Sequence, residues 1–139
     1  MRTSETNPAD WFMLADDRLK VADASYEGAG ATYTGVELLQ EAAERYLKGY
    51  LIGRGWDLKR THDLSELVRE AMRQDARFAD FEDLAEDLTD QFWAQHYPGG
   101  DLTDVGGNYA DLRAGIQHLA IPVRSDPEQA GGPIGSVTG

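Results

Sequence analysis

The stretch that decides the fold lies between residues 34 and 53 and reads TGVELLQEAAERYLKGYLIG. Its apolar side chains recur every three or four residues, which is the spacing of one face of an α-helix. Thr34 and Glu37 have the form of a capping box, in which a hydroxyl and a carboxylate each accept a hydrogen bond from a backbone N–H that the helix leaves free. The pattern predicts a helix over about 35–53, with Thr34 as its structural cap.

Helical spacing continues on both sides of this stretch. The other predicted helices cover about 8–25, 64–72, 78–93 and 105–119. Asn7 and Asp63 precede two of them and are residue types that favour the N-cap position, and Asn108 is a candidate cap for the last. Because no segment alternates apolar and polar residues as a half-buried strand does, the sequence predicts an all-α fold, an antiparallel up-and-down bundle of four to five helices.

The chain has 139 residues and a mass of 15.3 kDa, which is the size of one compact domain. We expect a single helical domain over residues 1–121. The remainder, 122–139, is rich in glycine and proline and has few large apolar side chains. Because its burial cannot offset the entropy of ordering it, we predict a disordered C-terminal tail over 122–139.

The formal net charge of −12 argues against a protein that coats nucleic acid without regard to sequence, since such a chain repels phosphate backbones. There is no cysteine, which excludes thiol catalysis, disulfides and cysteine-based zinc sites and is compatible with a reducing cytoplasm. The chain shows neither the apolar core of a signal peptide nor the ~20 apolar residues that span a bilayer. We expect a cytoplasmic protein with no membrane association.

Charge is unevenly distributed along the chain. The segment 45–60 carries several basic residues and a single acidic one: Arg45, Lys48, Arg54, Asp57, Lys59 and Arg60. The segment 80–104 is rich in Asp and Glu and has no Lys or Arg. One interpretation makes both segments solvated helix faces. The other makes the first a site for an anion or nucleotide phosphate, and the second a docking face for a basic partner or for the basic loop of a second copy.

Three histidines are candidates for catalysis, and each has a structural alternative. His62 and Asp63 could ligate a metal, as in phosphohydrolases, but Asp63 already serves as a helix cap, and we predict no metal and no other cofactor. Arg113 and His118 could stabilise a phosphorane and transfer a proton during RNA cleavage, yet on one helix their side chains diverge by about 140°. His96 could act as a general acid or base, or could only cap the carbonyl groups at its helix end.

Four segments, taken in order, resemble the HEPN family of small helical proteins, which are often encoded beside minimal nucleotidyltransferases. The segments are WFMLA (11–15), LQEAAERYLK (39–48), THDL (61–64) and HYP (96–98). They resemble, respectively, the family's early Trp-x3-Ala, its second helix, the Thr-His-Asp-Leu that begins its next helix, and its Arg-Tyr-Pro. The resemblance spans about 10–120.

This resemblance implies a helical bundle that commonly forms a homodimer, with functions that range from ribonuclease toxins to nucleotide-binding or partner-recruiting modules. Ribonuclease members of the family carry Arg-x4-6-His ahead of the last helix. At the corresponding place this chain has His96, but Gln91 stands five residues earlier and lacks the cation. Arg113 and His118 fall inside the last predicted helix instead. Whether the chain is an enzyme stays open on these grounds.

Two functions follow from these observations. The first is a dimeric HEPN module, non-catalytic or weakly catalytic, that works with a separately encoded nucleotidyltransferase-type protein in a toxin–antitoxin-like pair and contacts a nucleotide or RNA. Its predicted contact residues, together with His96, are Arg45, Lys48, Lys59, Arg60, His62 and Tyr97. The second is a metal-independent ribonuclease toxin with His96 or His118 as acid or base and an arginine as electrostatic stabiliser. A helical adaptor without nucleotide chemistry is a third interpretation.

Both nucleotide functions depend on one arrangement. The segments 40–48 and 61–64 must belong to consecutive helices of one bundle, and the turn between them must lie close to His96.

A separate observation favours dimerisation, because several large aromatic side chains supply more surface than short helices need to fill a core. These are Trp11, Tyr46, Trp56, Phe81 and Trp93.

Overall fold

Within residues 1–96, 98–99 and 104–125, which the computed structural model describes, all regular secondary structure is helical. The helices are α1 (Pro8–Ala29), α2 (Tyr33–Ile52), α3 (Leu64–Met72), α4 (Glu82–His96) and α5 (Val105–Arg124), with a short 3₁₀ helix over Ala76–Phe81 before α4. The predicted all-α bundle is confirmed.

Helix α2 lies at the centre of the bundle and packs against each of the other four α-helices. Leu39, Leu47 and Leu51 are at most 1% exposed, and burying each such side chain stabilises the fold by roughly 1.5–3 kcal/mol. The polar side chains of Gln40 and Glu44 are buried on the same helix. Because neighbours surround α2, its residues are buried on more than one face, and polar groups there need partners within the protein.

The contact between α1 and α2 requires a glycine. A Cβ atom placed on Gly49 would lie 2.7 Å from Cβ of Trp11 and 2.8 Å from the ring of Phe12. These distances are shorter than van der Waals contact, and a Cβ atom cannot swing away as the end of a side chain can. The absence of a side chain at Gly49 therefore allows the two helices to approach closely.

Two of the predicted helix caps are confirmed and two are wrong. The side chains of Asn7 and Asp63 accept hydrogen bonds from backbone N–H groups in the first turns of α1 and α3. Thr34 is not the cap of α2, because the helix begins earlier and Thr32 accepts the hydrogen bond from the backbone N–H of Gly35, at 2.9 Å. Both threonines suit a cap chemically, and Thr32 is the one whose backbone is extended, with φ −136° and ψ 156°.

The N-cap of α5 also differs from the prediction, although the helix begins at Val105 as predicted. Asp104 is its N-cap, and its side chain accepts a hydrogen bond from the backbone N–H of Gly106 at 3.0 Å. Asn108, the predicted candidate, lies inside the helix. Gly106 and Gly107 therefore belong to the first turn of α5, and Asp104 before them accepts a hydrogen bond from one of the backbone N–H groups that the helix leaves free.

Two helices run further than the sequence predicted. Helix α1 continues from the predicted end near 25 to Ala29 and stops at Gly30, whose φ of 74° is a left-handed conformation that glycine adopts readily. Helix α5 continues to Arg124, so the predicted start of the tail at residue 122 is wrong. Pro122 and Val123 are buried, because the last turn packs its apolar side chains against the core. The rest of the predicted tail, residues 126–139, lies outside the described residues.

Candidate functional site

A buried carboxylate on α2 organises the candidate site. Glu44 Oε2 lies 3.2 Å from Nζ of Lys48 one turn later, and the two side chains are 7% and 6% exposed. Glu44 Oε1 lies 2.8 Å from Nδ1 of His62, which comes from the loop before α3. Gln40 is the third group against it, with its amide nitrogen 3.5 Å from Oε1 of Glu44 and 3.4 Å from the backbone carbonyl oxygen of His62. A carboxylate with three polar neighbours satisfies the requirement that buried charge be paired.

The hydrogen bond to Glu44 fixes which nitrogen His62 offers to a ligand. A carboxylate accepts, so Nδ1 of His62 carries the proton and donates it. The side chain of His62 is 62% exposed, and its other nitrogen, Nε2, makes no hydrogen bond within the described part of the chain. In the neutral ring this Nε2 is therefore an acceptor available to a ligand.

Phe92 on α4 joins His62 to His96. The ring of His62 stacks on Phe92 with 6.0 Å between centroids, and the ring of His96 lies 4.1 Å from the same phenyl ring. His96 is exposed, and its Nδ1 donates to the backbone carbonyl oxygen of Phe92 at 2.7 Å. The structure thus places the loop before α3 and position 96 on one aromatic ring, as the sequence interpretation required. It also shows the carbonyl capping that was the structural alternative for His96.

A tryptophan extends this surface. Trp93 is 56% exposed and stands edge-on to Phe92, with 5.3 Å between ring centroids. We call Glu44, His62, Phe92, Trp93 and His96 the histidine–aromatic cluster. It combines two imidazoles that share one tautomer with an exposed indole ring, and therefore offers both hydrogen bonding and stacking to a ligand.

The predicted cationic residues do not converge on this cluster. Each has a carboxylate partner within the chain: Arg45 with Glu41, Lys48 with Glu44, Lys59 with Glu66, and Arg60 with Glu5. Lys48 alone among these four touches a member of the cluster, and it is buried behind Glu44. The positive charge of the segment 45–60 is therefore largely neutralised where it stands. Tyr97, the remaining predicted contact residue, lies outside the described residues.

Arg113 and His118 do not form a site together. The guanidinium of Arg113 binds the carboxylate of Asp23 on α1 through two hydrogen bonds, of 2.8 and 3.0 Å. Hydrogen bonding to Arg113 lowers the pKa of Asp23. His118 is exposed on α5 and contacts neither Arg113 nor the cluster within the described residues. Arg113 therefore serves to hold α5 against α1, in agreement with the divergence expected for two residues on one helix.

Gln91 points away from the cluster. It is 7% exposed and lines an acidic cleft between α4 and α5. The position at which ribonuclease relatives carry arginine thus brings no cation to His62 and His96.

The sequence analysis did not identify Glu44 and Phe92 as site residues. Glu44 nevertheless lies one turn before Lys48, a spacing at which opposite charges commonly pair.

Two broader properties concern the described residues as a whole. No group of three or more His, Cys, Asp or Glu among them is arranged to hold a metal ion. None of their helices combines the length and the apolar character needed to cross a bilayer.

Comparison with known proteins gives one match. A family model described as the HEPN domain matches residues 9–113. No curated protein matches the chain, and no solved structure does. The matched segment covers more than half of the chain and contains the whole histidine–aromatic cluster, and the chain therefore belongs to the HEPN family.

Proposed function

We propose that this chain is a HEPN module that binds a nucleotide or a short single-stranded RNA at the histidine–aromatic cluster. The observation that carries the proposal is the pair of imidazoles on the ring of Phe92, His62 and His96, each with Nδ1 held by an acceptor. Neither Nε2 has a hydrogen-bond partner among the residues that the structure describes, so both can bond to a phosphate or a base. Membership of the HEPN family supports a nucleotide- or RNA-related role.

Stacking supplies the second part of the interaction. Trp93 exposes a large ring beside the two imidazoles, and a base that stacks on an aromatic side chain contributes about 1–3 kcal/mol to binding. Unpaired bases can reach such a ring, whereas bases in a duplex are already stacked on one another. The cluster therefore favours a free nucleotide or an unpaired RNA segment over a double helix.

Titration of the chain with nucleoside triphosphates and with a short RNA oligonucleotide, measured by calorimetry, tests this proposal. We expect His62→Ala and Trp93→Ala to weaken binding by about 5- to 150-fold, the equivalent of the stacking or hydrogen-bond energy lost. His118→Ala is the matched control, because it removes an exposed imidazole outside the cluster. Equal affinity in all three variants would place the ligand elsewhere.

The proposal includes a partner and a second copy of the chain. We propose a toxin–antitoxin-like pair with a nucleotidyltransferase-type protein, together with homodimerisation of the HEPN module. The aromatic argument for a dimer is weaker than the sequence suggested, because Tyr46 is buried and Trp56 and Phe81 pack partly buried against the core. Support for the dimer therefore comes from membership of the HEPN family. Co-expression with the product of the adjacent gene, followed by purification through one tagged chain, tests the pairing. A dimer should scatter light as twice 15.3 kDa, and the scattering mass of a single chain at micromolar concentration would contradict homodimerisation.

Metal-independent RNA cleavage is a second candidate function, and the two available Nε2 atoms favour it. One neutral imidazole would take the proton of a ribose 2′-OH as the oxygen attacks phosphorus. The other, as an imidazolium, would give its Nε2 proton to the 5′-oxygen as the P–O5′ bond breaks and a 2′,3′-cyclic phosphate forms. For this candidate we pair His62 with His96 in place of His118, because both rings lie against Phe92. Cleavage in the presence of a chelator that disappears in His62→Ala and in His96→Ala would support it. Cleavage that persists in both variants would exclude these two residues.

A further inference from the structure

The face of α4 opposite the histidine–aromatic cluster borders a cleft of about 320 Å³ between α4 and α5. This volume is in the range of small-molecule sites. The lining residues are Asp87, Asp90, Gln91, Asn108, Asp111 and Leu112. We call this space the acidic cleft.

The carboxylates of the acidic cleft have no cationic partner in the described part of the chain. Asp87, Asp90 and Asp111 take part in none of the salt bridges formed there, whereas every basic residue of the segment 45–60 except Arg54 takes part in one. Partial desolvation, followed by the charges of Asp83 and Asp90, raises the pKa of Asp87. Negative charge is therefore concentrated in the cleft without being balanced by the protein.

Gln91 provides an independent indication of a ligand. Its residue is 7% exposed, it lines the cleft, and its amide makes no hydrogen bond within the described residues. Because so little of this side chain faces the solvent, few water molecules can reach its amide, and the amide keeps unused capacity for hydrogen bonds. A ligand in the cleft that carries N–H groups would donate to the amide oxygen of Gln91 and use this capacity.

The geometry distinguishes between types of cation. No group of three acidic or histidine side chains among the described residues converges tightly enough for a metal ion, so the cleft does not suit a compact divalent cation. A single basic side chain would balance only one carboxylate. Several carboxylates spread around one space, with Leu112 as an apolar wall, match a chain of methylene groups that carries more than one ammonium.

We propose that the acidic cleft binds a linear aliphatic polyamine. Its ammonium groups pair with Asp87, Asp90 and Asp111 and donate to the amide oxygen of Gln91, while its methylene groups lie along Leu112. The site is separate from the histidine–aromatic cluster and does not depend on the function proposed for that cluster.

Calorimetric titration of the full chain with spermidine tests this proposal. The titration is made at about 0.15 M salt, where the screening length is about 8 Å and diffuse attraction to the acidic surface is weak. Magnesium ion alone and a triarginine peptide are titrated in parallel. We expect spermidine to bind with one site and tighter than either of the other two. Stronger binding of the peptide would overturn the polyamine assignment, and equal binding of magnesium would indicate charge attraction alone.

Variants locate the site. Asp87→Asn combined with Asp111→Asn should weaken spermidine binding by about tenfold or more, because charge-assisted hydrogen bonds are lost. Gln91→Leu leaves the charge unchanged, and a several-fold loss in that variant is a result that diffuse electrostatic attraction cannot produce. Glu86→Gln is the matched control, since Glu86 is exposed on α4 outside the cleft. Equal weakening in Glu86→Gln and Asp87→Asn would refute the proposal. Nucleotide binding should be unchanged in all of these variants, so the two sites are tested separately.

Discussion

The buried ion pair behind His62 leads to the first prediction, in which Glu44→Leu strongly destabilises the fold. Nζ of Lys48 lies 3.2 Å from Glu44 Oε2 in a region where both side chains are more than nine-tenths buried. At that distance and an effective dielectric constant of about 20, the attraction is about 5 kcal/mol. The leucine leaves the ammonium of Lys48 without its carboxylate, and the ring of Trp11, 6.0 Å from Nζ, compensates in part. We expect the free energy of unfolding to fall by about 3–5 kcal/mol.

A double-mutant cycle separates the pair from its surroundings. Lys48→Met removes the cation but leaves Glu44 its contacts with His62 and Gln40, so this variant should lose less stability than Glu44→Leu. The double variant Glu44→Leu/Lys48→Met replaces the whole pair by apolar groups, and it should be more stable than the sum of the single effects predicts by about 2 kcal/mol or more. Urea unfolding followed by circular dichroism measures all four proteins. Additive free energies would refute the argument that the pair is coupled.

The same variants report on the site itself. With Glu44 present, Nδ1 of His62 should carry the proton in the neutral ring, which the nitrogen chemical shifts of the imidazole detect directly. In Glu44→Leu this preference should disappear, while His118 keeps the shifts it has in the wild-type chain. Imidazole nitrogen shifts of His62 that are the same in Glu44→Leu and in the wild-type chain would mean that the carboxylate does not position this ring.

Three further predictions concern stability. Asp23→Asn should lower the free energy of unfolding by about 1 kcal/mol or less at neutral pH, because the carboxyl is partly exposed. Arg113 lowers the pKa of Asp23 below its ordinary 3.8. The difference in stability from wild type should therefore be present above pH 3.8 and disappear as the pH falls through the lowered pKa of the folded state. Gly49→Ala should lower the free energy of unfolding by about 1–2 kcal/mol. The new Cβ would clash with Trp11, and this clash costs more free energy than the higher helix propensity of alanine contributes. Asp87→Asn should raise the melting temperature slightly at neutral pH and leave it unchanged below pH 3.8, since the native state holds the pKa of Asp87 above its ordinary value. A variant that melts at the wild-type temperature at both pH values would contradict this.

Local signals explain why the helices could be predicted. Asn7 and Asp63 cap α1 and α3 through hydrogen bonds that span two or three residues, and such bonds leave a direct trace in the sequence. The wrong predictions arose where two local solutions competed. Thr32 and Thr34 both suit a cap, and the tail boundary at Pro122 followed from composition, whereas the burial of the last turn of α5 depends on its neighbours in space.

Contacts between distant residues explain why the site could be predicted only in part. The motif THDL indicated His62, but its partner Glu44 lies 18 residues away. Arg60 pairs with Glu5 across 55 residues, so counting charges within 45–60 overstated the positive charge of that segment. The pairing of Arg45 with Glu41 follows the i,i+4 rule and was visible in the sequence.

The charge arrangement limits what the histidine–aromatic cluster can bind, and this leads to the last prediction. A protein that neutralises many phosphates with free Lys and Arg binds nucleic acid with a steep salt dependence, because each neutralised phosphate releases counterions. Here the cations nearest the cluster in sequence are held by carboxylates of the same chain, and the formal charge of the whole chain is −12. The affinity for a short RNA should therefore fall only weakly as salt is added. In a plot of the logarithm of the affinity against the logarithm of the salt concentration, the slope should be negative with a magnitude of about one or less. A steep negative slope would mean that Lys59 or Arg60 leaves its carboxylate for a phosphate, and it would restore the cationic site that the sequence alone predicted.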